Sequence, residues 1–289
     1  MAKIPESELI INSDGSVFHL HILPEDLADI VILVGDQGRV PMVASYFEEI
    51  EFTKQSREFM TITGSYHGKR ITVLSTGIGT DNIDIVMTEL DALANIDFAT
   101  REPKKEHKTL TILRIGTSGG LQPDINIGDY VFSKMTAGTD GLLNWYKGIE
   151  KISDKEIEEA FMEHIGWNDR LTTPYFVPAG KKLAQIFSDF KGGITMSAPG
   201  FYGPQGRSVR AKIAFPDFTQ KLESFNFKGL KVTNIEMENS AIVGLSSLLG
   251  HNAGTICLII ANRYAKESCP DYKPLMEGLI KTALDRLTE

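Results

Sequence analysis

The sequence predicts an α/β protein of one domain, with a central, mostly parallel or mixed twisted sheet flanked by helices. Three observations predict it. Short β-branched apolar runs bounded by glycine or polar clusters recur along the chain, stretches of helical apolar spacing separate them, and no linker, repeat or low-complexity segment interrupts residues 1–289. A hydrophobic fraction of 42% suits a substantial core.

Residues 1–14 read as a loose lead-in. Ile30-Val-Ile-Leu-Val34 is the first strand, ending in Gly35-Asp-Gln-Gly-Arg39. Residues 41–50 read as a short helix with Pro41 in its first turn, where the missing N–H is tolerated. A strand over 70–75 ends in Thr76-Gly-Ile-Gly79, and residues 82–96 carry Ile85, Val86, Leu90 and Leu93 at helical spacing. After a charged connector at 97–108, residues 110–115 form the central strand, with Arg114 inside it. The following Gly116-Thr-Ser-Gly-Gly120 reads as a tight turn. Residues 130–133 continue as a short strand.

The stretch 141–173 is polar and mixed, helical from 154 to 165, and reads as a surface excursion serving as lid or subunit contact. A helix at 181–190 and a strand at 193–196 lead to a glycine- and arginine-bearing loop, 200–210. The strand 231–235 runs into Glu236-Met-Glu238. The helix 240–249 is stopped by Gly250, the strand 255–261 is the last, and an amphipathic helix over 273–287 closes the chain.

A net charge of −8 argues against broad binding to nucleic acid or an anionic membrane, so an anion must be held by a few arginines in a cleft. Charge balance points to a small ligand. Cys257 lies in an apolar run and reads as a core thiol. With only Cys269 besides, no Cys-x-x-Cys and no secretory signal, a reducing, cytoplasmic setting is expected. No apolar run reaches membrane-spanning length.

Ligands of such sheets bind beyond the carboxyl ends of the strands, and several strands here end in polar groups. Arg114 inside a buried strand needs a counter-charge, since an unpaired buried cation is costly; an anion is the expected partner. Glu236 and Glu238, at i and i+2, share a face if extended. They suit either a glycosidase-type carboxylate pair or a carboxylate that accepts two neighbouring sugar hydroxyls, and the spacing does not choose. Gln205 and Arg207 offer an amide two residues from a guanidinium. The amide matches an imide edge such as that of uracil, and the cation stabilises charge on a departing heterocycle. Dinucleotide, P-loop, His-x-x-x-His and Gly-x-Ser-x-Gly fingerprints are missing. His19-Leu-His21 presents two imidazoles without a third ligand nearby, so no metal is expected.

Taken in order, Val17-Phe-His-Leu20, Gly35-Asp-Gln-Gly-Arg39, Ser56-Arg-Glu-Phe59, Ser75-Thr-Gly-Ile-Gly79, the stretch from Arg114 to Asp129, Gly200-Phe-Tyr-Gly-Pro-Gln-Gly-Arg207, Asn234-Ile-Glu-Met-Glu238 and Ala261-Asn-Arg263 resemble the nucleoside phosphorylase family of single-domain α/β type. Within it they are most similar to the members that cleave uridine. The resemblance implies phosphorolysis of uridine to uracil and ribose 1-phosphate, in pyrimidine salvage. It implies phosphate held by Gly35, Arg39, Arg114 and Thr117, with Arg57 supplied by a neighbouring subunit. Ribose would meet Glu238, Met237, Glu236 and a neighbour's His19. Uracil would meet Gln205 and Arg207, with Phe201 packed on the base and Arg263 close by.

The resemblance also implies inorganic phosphate as co-substrate with no organic cofactor, and a homodimer at least, with a hexamer built as a trimer of dimers as the larger form. A monovalent cation at the interface is left open. Three departures stand out: Gln37-Gly38 where relatives often carry proline, Asn239 where a serine is usual, and the length of 141–173. The alternatives are a purine or broad-specificity nucleoside phosphorylase, a nucleoside hydrolase, and a non-catalytic nucleoside-binding protein. A purine enzyme would carry an acid where Ala261-Asn-Arg263 stands, and a hydrolase would have no use for Arg39 and Arg114. Arg114→Ala is expected to raise the phosphate KM or abolish turnover while leaving the fold mostly intact.

Overall fold

The computed structural model describes residues 3–289. The chain opens with β1 (Ile30–Val34), α1 (Arg39–Ala44), β2 (Glu49–Ser56), β3 (Phe59–Tyr66), β4 (Lys69–Ser75) and α2 (Thr80–Asn95). A two-stranded ribbon, β5 (Ile96–Asp97) and β6 (Glu102–Pro103), precedes β7 (Thr111–Gly120), β8 (Tyr130–Phe132) and β9 (Met135–Gly138). Next come α3 (Ile149–Ile152), α4 (Lys155–Ile165), β10 (Tyr175–Pro178), α5 (Lys181–Ile186) and β11 (Ile194–Ser197). The last third holds α6 (Phe218–Ser224), β12 (Asn226–Phe227), β13 (Leu230–Glu236), α7 (Asn239–Leu249), β14 (Asn252–Asn262), β15 (Glu267–Ser268) and α8 (Lys273–Thr288).

The main path of the sheet runs β10-β9-β11-β13-β7-β1-β4-β3-β2. Its inner pairings are parallel (β4 and β7 on β1, β14 on β7, β9 and β13 on β11), except for a short antiparallel contact of β13 with β7, and its margins are antiparallel. Strand β7 sits at the middle. One edge pairs along its whole length with β14, from Thr111 to Gly120. The other edge is divided, with β1 beside residues 111–114 and β13 at Gly119 and Gly120.

Alternation along a strand sends neighbouring side chains into different layers. Val31 and Leu33 of β1 pack with Val86 and Leu90 of α2 and Ile242 and Leu245 of α7. Ile32 and Val34 pack with Val40 and Val43 of α1, Leu183 of α5 and Leu279 and Ile280 of α8. Each such fully buried side chain contributes about 1.5–3 kcal/mol. On β7, Ile112 faces the α2–α7 layer and Leu113 and Ile115 the other. Arg114 therefore points, like Ile112, toward α7.

The fold class agrees with the sequence, with four local corrections. Residues 116–120 are not a turn but the second half of β7, because β14 holds one edge throughout and β13 takes the other at Gly119 and Gly120. The helix expected at 41–50 ends at Ala44, and Glu49 starts a hairpin whose outer strand is largely exposed. The stretch 141–173 is more than a surface excursion: Leu143, Ile157, Phe161 and Ile165 are fully buried, and Asp154 caps α4 through the Glu156 N–H at 3.0 Å. Of the lead-in, residues 1–2 lie outside the described residues. The rest is tied down by Arg101, whose Nε and Nη2 donate to the carbonyls of Ile4 at 2.8 Å and Pro5 at 3.1 Å.

Candidate active site

Beyond the carboxyl ends of β1, β4, β7, β13 and β14 lies a cavity of about 1030 Å³. One pole is cationic. Arg39 reaches it from the first turn of α1 and Arg114 from within β7, and both are buried, at 7% and 4% exposure. Arg39 Nη1 donates to the Ile115 carbonyl at 3.2 Å, and Arg39 takes part in no ion pair among the described residues. Its pKa is lowered, chiefly by burial, with Tyr272 opposing and the like charge of Arg114 adding to the shift. Asp36 helps Tyr272 to support the charge, but only in part, and the guanidinium keeps no ion-pair partner among the described residues. Gly35 and Thr117 line the same pole.

Arg114 finds its counter-charge inside the chain. Nη2 donates to Glu238 Oε2, and Nη1 lies 3.2 Å from Glu236 Oε2 and 3.8 Å from Cys257 Sγ. Burial opposes the charge, but Glu238 and Glu236 outweigh it and raise the guanidinium pKa. The anion expected beside this arginine is thus, in part, a pair of glutamates.

The two glutamates differ in what they have left to offer. Glu236 accepts from Ser197 Oγ, from the N–H of Glu238 at 2.9 Å and from the N–H of Asn239 at 3.0 Å, besides meeting Arg114. Both its oxygens are engaged, and it satisfies the first N–H groups of α7. Burial raises its pKa, with Arg114 opposing and Glu238 reinforcing. Glu238 accepts the Gly79 N–H at 2.8 Å on Oε1 and Arg114 on Oε2, which leaves an acceptor position on each oxygen. Of the two carboxylates expected to suit hydroxyl recognition, Glu238 is the one with acceptor positions left for it, while Glu236 fixes the start of the helix. A glycosidase-type pair is disfavoured, because both carboxylates hold one guanidinium instead of flanking a bond. Met237 lines the cavity between them.

The other pole is built by the loop after β11. Gln205 is buried, and its Oε1 accepts from Arg207 Nη1 at 2.5 Å. The Arg207 Cζ lies 3.9 Å above the Phe201 ring. Burial and the like charge of Arg263 pull Arg207 down to about 10, so a ligand bringing negative charge is favoured here. Arg263 follows β14, and its Nη1 is buried without a hydrogen-bond partner.

Arg57 and His19 line no part of this cavity. They sit together beside its rim, where the Arg57 carbonyl accepts from Gln37 Nε2 at 2.9 Å: Arg57 Cζ is 5.5 Å from the Phe18 ring, which meets the His19 ring edge-on at 4.8 Å. His19 Nδ1 bonds Glu89 at 2.6 Å, and the same carboxylate accepts the Leu20 N–H at 2.9 Å. Sequence reasoning missed four contributors to the site: the Gly79 N–H, Ser197, Tyr272 and the rim formed by residues 266–270. Gly79 lay in a segment already singled out. Nothing in the local pattern marks Tyr272.

Away from the cavity, Asp91, His107 and His251 bring candidate ligand atoms within 4.8 Å of one another. The Leu110 N–H donates to His251 Nδ1 at 3.1 Å, which puts the ring proton on Nε2, facing Asp91. That tautomer presents a hydrogen where a metal would bind. Among the described residues, no helix is long and apolar enough to cross a membrane.

Fold and site together define an α/β enzyme scaffold that joins an anion pole to a pocket for a small polar molecule. The Phosphorylase superfamily model matches residues 29–279, and the chain belongs to that superfamily. It is 31% identical over 268 residues to a uridine phosphorylase of Thermococcus kodakarensis, covering 92% of this chain and 83% of that protein. It is 29% identical over 266 residues to a uridine phosphorylase of Escherichia coli, covering 88% and 89%. A solved Trypanosoma brucei nucleoside phosphorylase, described as showing uridine phosphorylase activity, superposes with a TM-score of 0.88 at 29% identity, covering 96% of this chain and 99% of that one.

Proposed function

We propose that this chain catalyses the phosphorolysis of uridine, transferring ribose from uracil to inorganic phosphate. The observation that carries the reading is the bond between Arg114 and Glu238, which couples the cationic pole to the member of the buried glutamate pair that keeps free acceptor positions. Relatives that are uridine phosphorylases support it.

Phosphate takes the pole of Arg39, Arg114, Thr117 and Gly35. The ribose hydroxyls bond Glu238, and the Gln205 amide reads the imide edge of uracil. Holding both reactants makes attack at the anomeric carbon effectively unimolecular. As the glycosidic bond loosens, positive charge develops on the sugar facing the phosphate anion. Negative charge flows into the uracil ring, where Arg207 stabilises it and Arg263 adds to the field. Uracil leaves as a delocalised anion, and no covalent nucleophile, metal or organic cofactor takes part.

The functional unit is a homodimer at least. Arg57 and His19, grouped outside the cavity, serve the neighbouring subunit's site at its phosphate and ribose. Release of uracil from uridine is measured with and without phosphate. Strict phosphate dependence is expected, and undiminished release in its absence defeats the reading.

A further inference from the structure

A second cavity, of about 740 Å³, adjoins the first and shares Arg207 with it. Its size is that of a small-molecule site. The floor is aromatic: Trp167 stacks on Phe215 with ring centroids 6.3 Å apart, and Phe215 meets Phe218 at 6.1 Å. Leu171 and Val209 line it as well, and both are exposed, Val209 at 80%. Apolar surface of this kind facing water marks an interaction site.

The charge is one-sided. Arg207, Arg210 and Lys212 lie in the wall, and no acidic residue joins them. None of the three is in an ion pair among the described residues, and nearby Asp217 is paired with Lys221 at 3.2 Å. A cationic ligand would be repelled, and a neutral one would leave these charges unanswered.

We propose that this cavity is a second binding site, for a small amphipathic organic anion. An aromatic or acyl body rests on Trp167, Phe215 and Phe218, and a carboxylate or sulfonate head meets Arg210 and Lys212. The site communicates with the first cavity through Arg207. That guanidinium is turned toward the first cavity, donating to the Phe201 carbonyl at 2.6 Å and to Gln205 at 2.5 Å. An anion on its other side competes for the same charge and loosens the grip on the base-reading loop. Occupancy therefore raises KM for uridine. This coupling rests on the uridine reading; the binding does not.

Binding is measured on the native assembly by the fluorescence of 8-anilino-1-naphthalenesulfonate, with decanoate or decylamine as displacer. Saturable binding is expected, with decanoate displacing the probe about tenfold more effectively than decylamine. Lys212→Glu and Val209→Asp, both at exposed positions, each weaken probe binding about tenfold. In the wild type, saturating decanoate raises KM for uridine several-fold, and Lys212→Glu abolishes that effect. Three results overturn the site: no saturable binding, equal displacement by the amine, or unchanged affinity in both variants. An unchanged KM at saturating decanoate overturns the coupling. A chain that does not turn over uridine removes only the kinetic arm, and the fluorescence arm still decides.

Discussion

The guanidinium of Arg114 lies 3.2 Å from the carboxylate of Glu236, with both side chains buried and Glu238 on the guanidinium's other arm. Arg114 is therefore a structural counter-ion as well as the phosphate ligand proposed above. Removing one partner of a buried pair leaves the other charge uncompensated, at about 3–5 kcal/mol. Arg114→Ala is expected to lose that much stability in addition to turnover, which revises the expectation of an intact fold. Denaturant unfolding beside a phosphate titration separates the two losses, and an unchanged midpoint would refute the structural role.

Arg39 presents the opposite case. Burial and the charge of Arg114 both work against its cation, and Tyr272 and Asp36 offset them only in part, without an ion pair. Arg39→Gln is expected to keep or slightly raise Tm while the phosphate KM rises by about tenfold or more, an effect on the order of 1.4 kcal/mol or larger. Melting curves and steady-state kinetics on the same preparation test this. Normal phosphate kinetics would remove Arg39 from the anion pole.

Gln205 is buried and bonded to Arg207, so its loss takes away the base-reading amide and the acceptor that orients the guanidinium. Gln205→Ala is expected to reduce kcat/KM for uridine by about 2–4 kcal/mol. A loss of tenfold or less would mean that the base is read elsewhere.

The two cysteines should behave differently toward thiol reagents. Burial pushes the Cys257 thiol up to about 12, so it stays protonated and shielded near neutral pH. Cys269 is half-buried on the cavity rim. Dithionitrobenzoate at pH 8 should therefore titrate one thiol in the native chain and both after denaturation. Uridine with phosphate should slow the native reaction. Two fast thiols in the folded protein would contradict the burial of Cys257.

The parts of the molecule legible in sequence are those with a local signature. β1, α2, α7 and α8 announce themselves by β-branched runs or helical apolar spacing, and Gly250 marks the end of α7 as a left-handed C-cap. Arg39, Arg114 and Glu238 are legible because each lies within or just past an apolar strand, and Gln205 and Arg207 because an amide stands two residues from a guanidinium in a glycine-bearing loop. What was hidden depends on partners distant in sequence. Residues 116–120 look like a turn until β14 is laid beside them, and the spacing of Glu236 and Glu238 does not disclose that one is consumed in starting a helix. Tyr272 reaches the site only because α8 folds back over it.

Gly116 offers a last consequence. A Cβ built at that position would stand 2.1 Å from Arg114 Nη1, since the arginine folds back across its own strand. A single methyl group there would force the guanidinium to shift from between its two glutamates, while every ionisable residue stayed in the sequence. Such a lesion is invisible to any inventory of charged positions, because the room for this side chain depends on a hydrogen atom in the strand beneath it.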